Sequence, residues 1–368
     1  MDFGFTAEQA ELRDTVRTFL SRQATSERVR AAAGFDSALW QRLTSELGVT
    51  ALAIPEQYGG FGASEVEMGL VLEEAGRVLL PAPYLATVTA AAALDGDLAT
   101  DLLAGIADGG TVATLALAEP GVGWSSKDWT CTARRSGAGY LLDGVKEHVL
   151  DGQVADVAVV AALCDGEPGL YAVRTADTRR TEHSTLDPTR RQVRLEFTAT
   201  PATLVSRRGA EHALDLMWAA VAVESIGVAR ASLESTIDYL RTREQFGVPL
   251  AHFQALRHRI ADLAVAVEAA TSSAWYALRV AGTAEFAVAA PLAKLVATRA
   301  AGTVTAESIQ LHGGIGFTWE HDAHLYLKRA TANRLLLGDE VALRRLIADR
   351  AGLSAAMGQG VAPVDSTV

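Results

Sequence analysis

The chain has 368 residues, a formal net charge of −11, and 49% hydrophobic but only 6% aromatic residues. That length suits one large or two to three small domains around a substantial core, in a helix-rich chain dominated by Ala, Leu and Val. The acidic balance argues against a nucleic-acid surface, no run of 18 apolar residues suits a membrane span, and the start lacks a secretory signal. Cys131 and Cys164 have neither close spacing nor His/Cys neighbours, so both are expected as reduced thiols of a cytoplasmic protein, with no metal site.

Thr6, followed by Gln9, predicts a capping box opening a helix with Leu12, Val16, Phe19 and Leu20 on one face. Helical sequence continues to about residue 107, broken by a glycine-rich loop over 54–62. An N-terminal helical domain is therefore expected over 1–110. From 111 to 206 the texture changes to alternating and β-branched runs separated by Gly, Asp and Pro, which predicts a small antiparallel β domain. The helical period returns over 207–354, with Ile226, Ala229, Leu233, Ile237 and Leu240 in one stripe at spacings of 3 and 4. Residues 355–368 read as a disordered tail.

Two segments stand out within the C-terminal helical region: Thr-Arg-Glu-Gln-Phe-Gly over 242–247 and Gln-Leu-His-Gly-Gly-Ile-Gly-Phe over 310–317. A guanidinium fork at Arg243 suits the planar oxygens of a diphosphate, and Phe246 supplies an apolar wall. Gln310 can hydrogen-bond, and Gly313 and Gly314 let backbone amides approach phosphate oxygens with no Cβ in the way. With the helix–β–helix order, these segments resemble the acyl-CoA dehydrogenase family over residues ~1 to ~352. The resemblance implies an α+β fold: an N-terminal helical domain, a small central antiparallel β domain and a C-terminal four-helix bundle. It also implies FAD as cofactor, 2,3-dehydrogenation of an acyl-CoA, and an electron-transfer flavoprotein or similar acceptor. In that family the residues matching Arg243, Phe246, Gln254, Gln310, Gly313 and Gly314 hold the diphosphate and adenosine end of the FAD seated in the neighbouring subunit.

The chemistry of that family needs a carboxylate over the α carbon of the thioester. In its commonest branch the base precedes Gly-Thr, where this chain has Leu336 or Leu337 before Gly338 and Asp339. In the other branch it stands 26 residues before the flavin-binding arginine, which is Met217 here. Glu224, two turns further along the same helix face, is the one catalytic candidate, with a polar bundle or channel contact as its alternative. Asp339 and Glu340 are accounted for by helix capping. The turn over 118–124 keeps Glu-Pro-Gly-x-Gly, yet Ala118 and Trp124 replace a Thr and a Ser that hydrogen-bond FAD in the family. His148, Val149 and Leu150 replace the Trp-Ile-Thr that lies against the flavin, with His148 either a catalytic or stacking group or a surface or loop histidine.

Residues used on a neighbour's cofactor are thus kept, and those used on the chain's own are replaced. The resemblance implies the partner chain of a heteromeric α2β2 acyl-CoA dehydrogenase, a form found among actinobacterial enzymes acting on bulky steroid side-chain thioesters. The alternatives are a homomeric enzyme using Glu224 as base, or a non-redox structural or binding homologue.

Overall fold

The computed structural model describes residues 4–121, 129–207 and 210–353. Thr6 caps the first helix, α1 (Ala7–Gln23): its hydroxyl accepts from the Gln9 amide at 3.2 Å, and its own amide donates to Gln9 Oε1 at 3.1 Å. Two orphan amides are satisfied reciprocally, so the helix starts where the sequence places it. Val16 and Leu20 bury themselves, with Leu12 and Phe19 half-buried beside them. The helical layer continues through α2 (Ser26–Ala32), α3 (Ser37–Leu47), α4 (Glu65–Arg77), α5 (Tyr84–Ala92) and α6 (Thr100–Ala107).

The central unit contains β1 (Ala113–Ala116), β2 (Thr132–Ser136), β3 (Gly139–Leu150), β4 (Val157–Cys164), β5 (Glu167–Arg174), β6 (Arg179–Glu182) and β7 (Gln192–Ser206). Their order is β1-β4-β2-β3-β7-β5, with β6 on β7 and β5 also on β4, so β4, β2, β3, β7 and β5 close on themselves. Closure leaves few unpaired edges and encloses a separate small core of Cys131, Leu142, Val160, Leu195 and Phe197. The sheet is chiefly antiparallel, as expected. The differences are β1, which runs parallel to β4, and a single parallel pairing of β2 with β4. These pairings join strands distant in sequence, which alternation within one strand does not encode.

The C-terminal region holds α7 (Ala210–Thr242), α8 (Gln254–Arg279), α9 (Phe286–His312), α10 (Ala323–Leu335) and α11 (Glu340–Arg350). α7, α8, α9 and α10 pack together as the bundle, and α11 lies against α9. By length and composition α7 could cross a membrane (mean hydropathy 1.4), but 89% of that window is buried inside the protein, as befits a core helix. Its stripe of Ile226, Ala229, Leu233 and Leu240 is buried, and Ile237 is packed half-buried against the same core.

α4 and α7 cross at backbone contact. A Cβ on Gly227 would stand 2.0 Å from the Glu73 carbonyl oxygen, and one on Gly76 would stand 2.1 Å from that of Glu224. No side chain fits at either position, so this glycine pair fixes the N-terminal layer against the bundle. Asp339 caps α11 by accepting from the Ala342 amide at 2.9 Å, and Glu340 bonds Arg334 and Arg344, in keeping with a capping role. The tail expected to be disordered lies outside the described residues.

Candidate functional site

α7, α8 and α9 alternate in direction, so the end of α7, the start of α8 and the end of α9 share one end of the bundle. Contacts confirm the arrangement: the Tyr239 and His312 rings are 4.6 Å apart, and Thr236 Oγ1 donates to Ser308 Oγ at 2.8 Å. Beyond α7, β8 (Glu244–Gln245) and β9 (Val248–Pro249) form a two-residue hairpin, with Leu250 donating to the Arg243 carbonyl at 2.8 Å. The turn residues Phe246 and Gly247 both have positive φ, 57° and 81°, as a type I′ turn requires. That strained turn carries Phe246 into solvent, 91% exposed, above an exposed Arg243.

Gln254, in the first turn of α8, and Gln310, in the last turn of α9, are also exposed. Gly313 ends α9 at φ 63° and ψ −141°, a conformation in practice restricted to glycine. A Cβ added at Gly313 or Gly314 would meet nothing within 4 Å, whereas one at Gly316 would lie 2.8 Å from the Ile309 carbonyl oxygen. Gly316 therefore serves packing, while Gly313 and Gly314 leave an open cradle of backbone. Phe317 and Trp319, both more than two-thirds exposed, continue the apolar surface beside it. A guanidinium, two carboxamides and a bare glycine backbone are donor groups of the kind that phosphate oxygens accept from.

The positions expected to face the chain's own flavin are differently built. Ala118 and Leu150 are buried without a hydroxyl to offer, and Trp124 lies outside the described residues. His148 is exposed at φ 55°, its Nδ1 3.0 Å from Gln192 Oε1 and its ring stacked at 5.2 Å on His183. His148 thus lies within β3, where the pairing with β7 shifts between Lys146 and Val149, so it is an exposed histidine on an irregular strand and not in a loop. The retained Glu119 holds the β unit together, accepting from Lys146 Nζ at 2.7 Å and from the Thr130 and Cys131 amides. Burial would raise its carboxyl, but Lys146 and Thr130 hold it below the usual range.

Met217, Leu336 and Leu337 are all buried and apolar, and Met217 Sδ lies 4.0 Å from Thr89 Oγ1. The Leu337–Gly338 segment is pinned from two sides: Trp218 Nε1 donates to the Leu337 carbonyl at 2.8 Å and Lys294 Nζ to that of Gly338 at 2.6 Å. Lys294 was not legible as special, being one of several polar and charged residues along α9. Burial pushes its amine from 10.5 down to about 7, with only a small opposing pull from Asp339. Between those values the unfolded chain keeps a proton that the folded chain sheds, so stability should rise with pH from 7 towards 10. Urea midpoints taken across that range should climb, and Lys294→Met should flatten the climb.

Glu224 is 3% exposed and is engaged on both oxygens. Arg190 pairs with its Oε1, Arg329 reaches the same oxygen at 3.2 Å, and Asn333 Nδ2 donates to Oε2 at 2.9 Å. Arg190 also donates to Asn333 Oδ1 at 2.8 Å, while Arg329 pairs with Asp187 and donates to Thr189 Oγ1 at 2.7 Å. Burial would raise the Glu224 carboxyl, yet Arg190, Arg329 and Asn333 outweigh it and hold the group below its ordinary range. A carboxylate stabilised in that way is a poor proton acceptor. Its contacts tie the segment carrying Asp187, Thr189 and Arg190 to the bundle.

A family model described as Acyl-CoA dehydrogenase, N-terminal domain, matches residues 6–96, and one described as Acyl-CoA dehydrogenase, C-terminal domain, matches residues 208–352. The chain is 36% identical over 345 residues to Acyl-CoA dehydrogenase IpdE2 of Mycobacterium tuberculosis, covering 92% of this chain and 96% of that protein. Among solved structures it resembles the Tcur3481-Tcur3483 steroid ACAD, solved as a variant, with a TM-score of 0.89 and 32% identity over 95% of this chain and 99% of that one. It also resembles the ChsE4-ChsE5 complex of Mycobacterium tuberculosis, with a TM-score of 0.86 and 26% identity over 98% of this chain and 100% of that one.

Proposed function

Since this chain belongs to the acyl-CoA dehydrogenase family, whose cofactor is FAD, we propose that it is the partner chain of a heteromeric α2β2 enzyme. The observation that carries the reading is the contrast between the two sites. Arg243, Phe246, Gln254, Gln310, Gly313 and Gly314 are presented outward at one end of the bundle, while the positions of the base hold Met217, Leu336 and Leu337. A related subunit would supply the carboxylate and seat the flavin ring. FAD supplies the acceptor for the β hydride in this chemistry. Arg243 would bind the diphosphate through its fork, and the cradle at Gly313 and Gly314 would donate backbone amides to it.

The relatives include a steroid ACAD and a complex of two named components, which supports a bulky, steroid-derived acyl-CoA as substrate and a two-chain assembly. An electron-transfer flavoprotein or similar acceptor would take the electrons. Two free cysteines suit a cytoplasmic location.

Two glycine variants test the reading. Gly314→Ala adds a methyl group with nothing in its own chain within 4 Å, so the chain's stability should stay within about 0.5 kcal/mol of wild type. The mixed oligomer should nevertheless bind FAD more weakly. Gly316→Ala, forced against the Ile309 carbonyl oxygen, should destabilise the chain by roughly 1–3 kcal/mol. Unchanged FAD affinity in the Gly314→Ala complex would count against a cradle used in trans.

A further inference from the structure

A second constellation lies far from the cofactor end. Arg279 stands 25 residues along α8 from Gln254, about 37 Å of helix away. Near it a cavity of about 340 Å³ opens between α1, α4, α7 and α8, and five guanidiniums line it: Arg13, Arg17, Arg77, Arg230 and Arg279. This concentration of cations is unexpected in a chain of net charge −11. One wall is the Phe5 ring, set edge-on to Trp275 at 4.9 Å, with the Arg13 and Arg279 guanidinium carbons 5.4 and 5.5 Å from its centroid.

Glu73 and Glu234 line the same cavity, and the carboxylates in and beside it are already engaged. Glu74 takes Arg17 through both oxygens, at 2.9 and 2.6 Å, and Glu234 takes Arg77 through both. Arg230 Nη2 donates to Glu268 at 3.1 Å, and its Nε stands 3.2 Å from Glu73 Oε1 without a hydrogen-bonding angle. Arg13 Nε is likewise buried and has no acceptor among the described residues. Burial raises the Glu73 carboxyl above its ordinary range against the opposing pull of Arg230. Among the described residues, two buried guanidinium donors beside this polar cavity have no hydrogen-bond acceptor, although one has Glu73 as an ion-pair neighbour.

We propose that this cavity binds a phosphate-type oxyanion, which would tie α1 and α4 to α7 and α8. Guanidinium forks match the planar oxygen pairs of such a group, and the cavity has room for it. Free phosphate and the phosphate of a nucleotide-bearing metabolite offer the same chemistry.

The test is titration calorimetry of the purified protein with inorganic phosphate and with adenosine 3′,5′-bisphosphate, each against potassium chloride at equal ionic strength. Saturable binding of either is expected, and the tighter of the two identifies the source. Arg13→Gln should weaken it about tenfold, the loss of one charge-assisted bond. Should that variant misfold, Ser272→Trp, which fills the cavity from an exposed lining position, should block binding with every arginine in place. Heats no different from chloride, or binding that survives both variants, would overturn the proposal. Neither result depends on whether the chain has a partner subunit.

Discussion

Arg243→Ala should loosen FAD from the mixed oligomer by about 10- to 150-fold while leaving the fold of this chain intact. The side chain is exposed, and among the described residues its guanidinium has no ion pair, so truncation removes nothing that holds the chain together. What it would remove is a charge-assisted fork to a diphosphate, worth about 1.5–3 kcal/mol, and each 1.4 kcal/mol is about tenfold in affinity. Arg243→Lys keeps a point charge but not the fork, so it should fall between the two. Flavin fluorescence on titrating FAD into the apo-complex measures the effect. An Arg243→Ala complex that binds FAD as tightly as wild type would remove the main support for a role in trans.

Glu224→Gln should have the opposite profile, losing stability first. Glu224 neutralises Arg190 and Arg329 inside the protein, and the amide would leave both guanidiniums short of negative charge where water cannot compensate. Breaking a buried pair of this kind costs about 3–5 kcal/mol, so the denaturation midpoint should drop sharply. Because the folded-state carboxyl is held below its unfolded value, its contribution is fully present above the unfolded value of 4.5. It is lost as pH falls through the folded one. Wild type should therefore lose stability in acid and the variant should lose less. If Glu224 were instead the base of a homomeric enzyme, the glutamine variant would stay folded and keep its flavin but stop turning over.

The two outward-facing segments were legible because their signals are local. Arg243, Phe246 and the glycines can be read from contiguous sequence, whereas the positive φ angles at Phe246 and Gly247 and the backbone angles that end α9 at Gly313 come from the structure. The seven-residue step from Met217 placed Glu224 on a helix face, but its character comes from Arg190, Asp187 and Arg329, which lie 34 to 105 residues away along the chain. One sequence does not say which of its arginines folds back on which acid. Lys294 was hidden for a similar reason: its partner is a backbone carbonyl, which has no residue signature. The β unit was recognisable from alternation, while the parallel pairing of β1 with β4 depends on a long-range register.

The decisive measurement is the visible spectrum, flavin content and solution mass of this chain, purified alone and then together with a related chain that carries the base. The expected result is a colourless chain that becomes part of a yellow α2β2 assembly holding one FAD per pair of unlike chains. A yellow homo-oligomer with one FAD per copy would contradict it and would place a complete flavin site within this chain.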